Sequence, residues 1–123
     1  MDRGHLGKQY RDGEVVVRQG ETDDCMYVVQ EGKVEVVRES DGHATVLAVL
    51  ERDDFFGEMA LFERRPRSAT VRALGDARVL TVDKRTFLRR VHEDPSLAFR
   101  ILSALCRRIR DLDAEVTRLR NAP

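Results

Sequence analysis

The chain has 123 residues, 41% apolar and 36% charged, with Lys+Arg and Asp+Glu balanced at 22 each. Such a length predicts one domain with room for a core, and zero net charge gives no general pull toward nucleic acid or an anionic membrane surface. Cys25 and Cys106 are far apart and in no metal-ligand spacing, and there is neither a long apolar span nor a signal-peptide core, so a soluble cytoplasmic protein without a disulfide scaffold is expected.

Residues 1–8 are short, polar and glycine-containing, and are expected to be loosely ordered. From Tyr10 to Leu50 the pattern is β. Glu14–Arg18 is rich in valine and closes at Gln19-Gly20. Met26–Gln30 closes at Glu31-Gly32. Val34, Val36 and Val37 form a third run, which Ser40-Asp41-Gly42 breaks, and Thr45–Leu50 is a fourth. Short runs spaced by turn residues indicate an antiparallel roll, and Asp41-Gly42 between apolar runs is a hairpin signal.

Residues 54–73 bring a strand end, a turn, a short helix and a second strand into one stretch. Phe55-Phe56 precedes Gly57 and Glu58; Met59, Ala60, Leu61 and Phe62 make about one helical turn. The charged loop Glu63–Pro66 leads to Arg67 and the strand-like Ser68-Ala69-Thr70-Val71. The combination suits a small phosphate. A helix N-terminus offers backbone N–H groups and a positive dipole end. Gly57 allows a sharp turn or close approach, and Arg67 can bond two phosphate oxygens at once. Glu58 would repel a phosphate, and is better explained as the acceptor of a ribose hydroxyl.

Arg78–Val82 reads as the last strand. Residues 84–93 follow as a short helix with an apolar face of Phe87, Leu88 and Val91. Asp94-Pro95, an acid at the N-cap and proline at the first helical position, starts a long helix over 95–120. Along it Leu102, Leu105, Ile109, Leu112, Val116 and Leu119 alternate in steps of three and four. With Leu102, Ile109 and Val116 at a and the leucines at d, the spacing predicts a parallel two-stranded coiled coil. Arg108 and Glu115 then fall at g, Asp113 and Arg120 at e. Across a homodimer Arg108 would meet the partner's Asp113, and Glu115 the partner's Arg120. The alternative is a stripe that packs on the chain's own β-roll.

The run FGEMAL, with Pro66-Arg67 eight positions beyond Glu58 and SATVRA closing it, resembles the phosphate-binding cassette of the cyclic nucleotide-binding domain family, and the likeness extends from about Tyr10 to Arg110. The resemblance implies a mainly β fold: an antiparallel β-roll or jelly roll over about 9–83 with a short cassette helix, then a long C-terminal dimerisation helix. It implies backbone contacts to a cyclic phosphate from Gly57, Met59 and Ala60, flanked by Phe56 and Ala69. Glu58 would take the ribose 2′-hydroxyl, Arg67 the phosphate, and Ser68 would add a hydroxyl donor. Val36 and Leu47 would line the base pocket, with plain core an equal alternative for each. Alignment of the long helix puts Arg108, Leu112 and Asp113 nearest the ligand, so Arg108 and Asp113 have two candidate duties.

The expected function is therefore a cyclic mononucleotide receptor. Ser68 favours cAMP, with cGMP as the alternative. The signal would leave through the homodimer or an unidentified effector protein. A dimer module that binds no nucleotide is a second reading, which the intact Glu58 and Arg67 oppose. A DNA-binding regulator is a third; no helix-turn-helix follows the long helix in this sequence, so no direct nucleic-acid binding is expected unless the sequence is a fragment of such a regulator. An enzyme on a β-roll is a fourth, but His5, His43 and His92 are scattered and no metal is expected.

Overall fold

The computed structural model describes residues 7–122. Most of the expected loose N-terminal segment, and Pro123, lie outside them. The chain divides into two compact units, Met1–Lys84 and Arg85–Pro123.

The first unit is a rolled antiparallel sheet. Its strands are β1 (Lys8–Tyr10), β2 (Val15–Val17), β3 (Cys25–Ser40), β4 (His43–Glu51), β5 (Phe55–Phe56) and β6 (Thr70–Asp83). The sheet runs β1-β6-β3-β4, with β2 also paired to β6 and β5 to β3. It is not closed. Period-two burial along β3 and β6 places Val29, Val34 and Val79 at its centre, each no more than 1% exposed. Tyr10, Val17, Tyr27, Phe56 and Val71 pack around them.

Two pairs of expected strands are each one strand. β3 runs through Gly32 without turning, because the segments on either side pair with the same neighbour, β6. The register shifts at Glu31, and Gly32 takes φ 74° there. A Cβ on Gly32 would stand 2.2 Å from the Asp76 carbonyl oxygen. Glu31-Gly32 is thus a bulge that bends a long strand. In the same way the strand that opens at Thr70 continues to Asp83. The hairpin expected at Asp41-Gly42 is present between β3 and β4. At the N-terminal edge, Gly7 is tied down: its N–H donates to Gln30 Oε1 at 2.7 Å and its carbonyl accepts from Arg78 Nη1 at 2.9 Å.

The second unit is helical, with α1 (Lys84–Glu93) and α2 (Pro95–Arg120). Asp94 caps α2: Oδ1 accepts from the Ser96 N–H at 3.1 Å and from the Ser96 hydroxyl at 2.5 Å, and Pro95 opens the helix. The hydroxyl bond, more than the nearby Arg100, holds the Asp94 carboxyl below the usual range. Among the described residues no helix is long and apolar enough to cross a membrane.

Candidate phosphate and nucleotide site

The site is built where β5 leaves the sheet. Phe55 and Phe56 are both buried, and Phe56 pairs with Tyr27 of β3. Two buried aromatics anchor the strand, so the next residue must redirect the chain within one step. Gly57 does so at φ 78° and ψ 11°, in the left-handed region that β-carbon-bearing residues disfavour. A side chain is excluded for a second reason: a Cβ on Gly57 would lie 2.5 Å from Arg67 Nη1. One turn of 3-10 helix, Glu58–Leu61, follows. Ala60 and Leu61 point inward, while Met59 and Phe62 are 60% and 70% exposed.

A cavity of about 440 Å³ opens beside this turn, within the ~300–1,000 Å³ typical of small-molecule sites. Phe56, Gly57, Glu58, Met59 and Ala60 line one side; Arg67, Ser68 and Ala69 return on the other. Val36 lines it from β3. Glu58 is 7% exposed, a buried carboxylate on the wall. Val17, Val71, Glu63, Arg65 and Pro66 complete the lining; the sequence reading did not assign them to the site. Val17 and Val71 arrive because β2 and β6 pair beneath the cassette, a relation that the local sequence does not carry.

Leu47 is a correction. It is 47% exposed on β4 and is not among the cavity-lining residues. The register between β3 and β4 slips at this point, where Val36 faces Ala48 and Val37 faces Val46. Leu47 is the extra residue of a bulge on a strand that is exposed along almost its whole length, which the resemblance does not carry. Ala60 needs a smaller revision. Its N–H already donates to the Gly57 carbonyl at 3.1 Å, closing the turn. Arg108, Leu112 and Asp113 lie on α2, in the second unit.

Arg67 is held at both its backbone and its side chain. Its backbone is clamped to the turn after β2: its N–H donates to the Glu21 carbonyl at 2.7 Å, and its carbonyl accepts from Gly20 N–H at 2.8 Å. The side chain, 9% exposed, ion-pairs with Asp23. Nη2 also donates to the Cys25 carbonyl at 2.6 Å, and Nη1 to the Gly57 carbonyl at 3.1 Å. Nη2 therefore gives both hydrogens, and Nε and Nη1 one each. Of the five N–H groups of a guanidinium, a single Nη1 hydrogen is left for a ligand. The expected two-oxygen grip on a phosphate requires Asp23 or a backbone carbonyl to give way. Asp23 was missed from sequence. A buried guanidinium requires a compensating acid, and Asp23-Asp24, just past the Gly20 turn, is the sequence signal for one.

Asp23 also acts on its neighbours. Burial, followed by the Asp23 and Asp24 charges, pushes the Cys25 thiol up. Burial and then Asp23 push the Tyr27 phenol up to about 12, against the opposing effect of Arg67. Among the described residues no group of His, Cys, Asp or Glu has the arrangement to hold a metal ion.

An unclosed antiparallel roll with a glycine-turned cassette, and an arginine and a buried carboxylate that line one small cavity, define a small-ligand-binding module of the mainly β class. The cyclic nucleotide-binding domain model matches residues 7–94, and the chain belongs to that family. It is 43% identical over 84 residues to the cAMP-dependent protein kinase regulatory subunit of Dictyostelium discoideum, covering 65% of this chain and 26% of that protein. The crystal structure of the Thermus thermophilus catabolite activator protein superposes with a TM-score of 0.83 at 30% identity, over 94% of this chain and 55% of that one. The cGMP-bound EAL enzyme Bd1971 does so with a TM-score of 0.63 at 31% identity, over 85% of this chain and 28% of that one. The chain thus spans at most half the length of the curated relatives considered, as in the 50% of the Thermus thermophilus cyclic AMP receptor protein.

Proposed function

We propose that this chain is a cAMP receptor module whose cassette takes the cyclic phosphate and ribose, and whose α2 helix carries the signal. The observation that supports it best is Arg67 buried at the cavity wall with Glu58 buried in the same wall. Together they offer one cation for one phosphate charge and one carboxylate for a ribose hydroxyl. Gly57 and Met59 contribute backbone, Ser68 a hydroxyl, and Val17, Val36 and Val71 an apolar wall for the base. Ser68 tilts the choice to cAMP. The cGMP named for the EAL enzyme keeps cGMP as the second reading. Calorimetric titration with both nucleotides tests this. Saturable 1:1 binding of cAMP, tighter than cGMP, is expected; heat from neither would end the receptor reading.

In this reading α2 pairs with a second copy through Leu102, Leu105, Ile109, Leu112, Val116 and Leu119. All but Leu105 are more than half exposed along the helix. Arg108 and Asp113 serve the partner helix, the ligand, or both. Glu115 already has a neighbour on its own helix: Arg118 Nη2 donates to it at 2.5 Å. The attraction of Glu115 for the partner's Arg120 must compete with that bond. The output is a change in dimer affinity or in contact with an effector protein, in a reducing cytoplasm where Cys25 and Cys106 stay free thiols.

A further inference from the structure

We propose that Tyr27 is a positioning residue for Arg67: its buried ring holds the guanidinium where the cassette needs it. The inference rests on the phosphate role given to Arg67 above. The guanidinium carbon stands 5.6 Å from the centroid of the Tyr27 ring, inside the ~6 Å reach of a cation–π contact. Tyr27 is 8% exposed and the Arg67 side chain 9%, so the contact is desolvated, the condition in which the attraction is largest.

The ring is itself fixed. It stacks on Phe56 with centroids 5.1 Å apart and planes 13° from parallel, and the two residues are directly paired across β3 and β5. Phe56 precedes Gly57, whose carbonyl accepts from Arg67. Every side-chain partner of Arg67 thus comes from two short segments, 23–27 and 56–57. The hydrogen bonds to Asp23, Cys25 and Gly57 act at the N–H edges of the guanidinium. The ring adds a weakly directional attraction to the centre of the charge, which survives if a phosphate draws one of those edge bonds away. Tyr27 is not among the cavity-lining residues, so it acts on a ligand only through Arg67. Its phenol, at 10.0 even for the free group and raised further by burial, is neutral at physiological pH.

The test varies the charge on the ring face and leaves its shape nearly unchanged. Tyr27→Phe is compared with the same protein carrying a trifluorinated phenylalanine at position 27, in which the face is depleted of electron density. A nearly conserved volume keeps the core folded. Tyr27→Phe is expected to bind cAMP like the parent, and the fluorinated protein about 5- to 30-fold more weakly. Adenosine, which lacks the phosphate, is expected to bind both alike. Equal cAMP affinities, or an equal loss for adenosine, overturn the proposal. A ligand-free measurement separates its failure from that of the receptor reading. By NMR the Arg67 Nε–H is expected to exchange with solvent at least about 5-fold faster in the fluorinated protein. Equal exchange rates overturn the proposal whether or not any nucleotide binds.

Discussion

Asp23 bridges the Arg67 guanidinium, with Oδ2 accepting from Nε at 3.3 Å and Oδ1 accepting from Nη2. A carboxylate of the chain itself thus neutralises the cation assigned to a phosphate. Asp23→Asn keeps an acceptor but removes the charge. With Asp23 about one-third exposed, the ligand-free protein is expected to lose about 1–3 kcal/mol. A bound phosphate restores the missing charge, so cAMP is expected to raise the melting temperature of the variant by more than it raises that of the parent. Equal increments in a thermal melt would contradict a shared site.

Arg67→Ala removes the cation entirely. Truncating one partner of a buried charge pair costs about 2–5 kcal/mol, so cAMP binding is expected to weaken about 30-fold or more. Titration with a fluorescent cAMP analogue measures it, and an affinity within about threefold of the parent takes Arg67 out of the site.

Glu58 is assigned to the ribose. Glu58→Gln is expected to weaken cAMP less than Arg67→Ala does and to narrow the preference for cAMP over 2′-deoxy-cAMP. Competition between the two nucleotides reads this directly. A parent that binds both equally removes the ribose role.

Alkaline stability follows from Tyr27. Its phenol sits at about 12 in the folded chain against 10.0 for the free group. The folded state therefore holds the proton more tightly than the unfolded state, and stability falls as pH rises from 10 to about 12. Below that window the contribution is fully present. Chemical denaturation across pH 9–12 is expected to show this loss, and Tyr27→Phe to reduce it. Tyr10, raised by burial and then by Glu14, contributes a residual slope with the same sign.

The seam of α2 gives a prediction about assembly. If nucleotide and partner helix both engage α2, each tightens the other, with a typical coupling of ~1–3 kcal/mol, or 5- to 150-fold. Sedimentation is expected to show a dimer whose dissociation constant falls on adding cAMP. Leu112→Asp is expected to weaken dimerisation and nucleotide binding together while the roll stays folded. A parent that remains monomeric at about 100 μM with saturating cAMP, far above the concentration a specific dimer needs, removes the coiled coil. A dimer indifferent to nucleotide removes the coupling alone.

Much of the site was legible because its parts are close in sequence. Gly57, Glu58 and Arg67 lie within eleven residues (57 to 67), and a glycine turn, a helical turn and a returning strand are short-range features with local chemical signatures. The Asp41-Gly42 hairpin and the Asp94-Pro95 cap were readable for the same reason: a turn or a cap is satisfied by atoms a few bonds away. Leu47 was expected in the base pocket from the resemblance, which carries neither the exposure of β4 along almost its whole length nor the bulge that sets Leu47 apart.

The amino-acid order by itself determined that a mainly β domain would carry a glycine-turned cassette and a long apolar-striped helix, because periodicity and turn chemistry act over a few residues. Only the tertiary structure decided what surrounds the arginine. Asp23 is 44 residues from Arg67 in the chain, and Tyr27 and Cys25 reach it because β3 pairs with both β5 and β6. A buried guanidinium must find several acceptors at once, and which ones it finds depends on strand register. The bulge at Glu31-Gly32 lies in the pairing of β3 with β6, and a bulge is chosen by the packing of two whole strands rather than by the residues beside it.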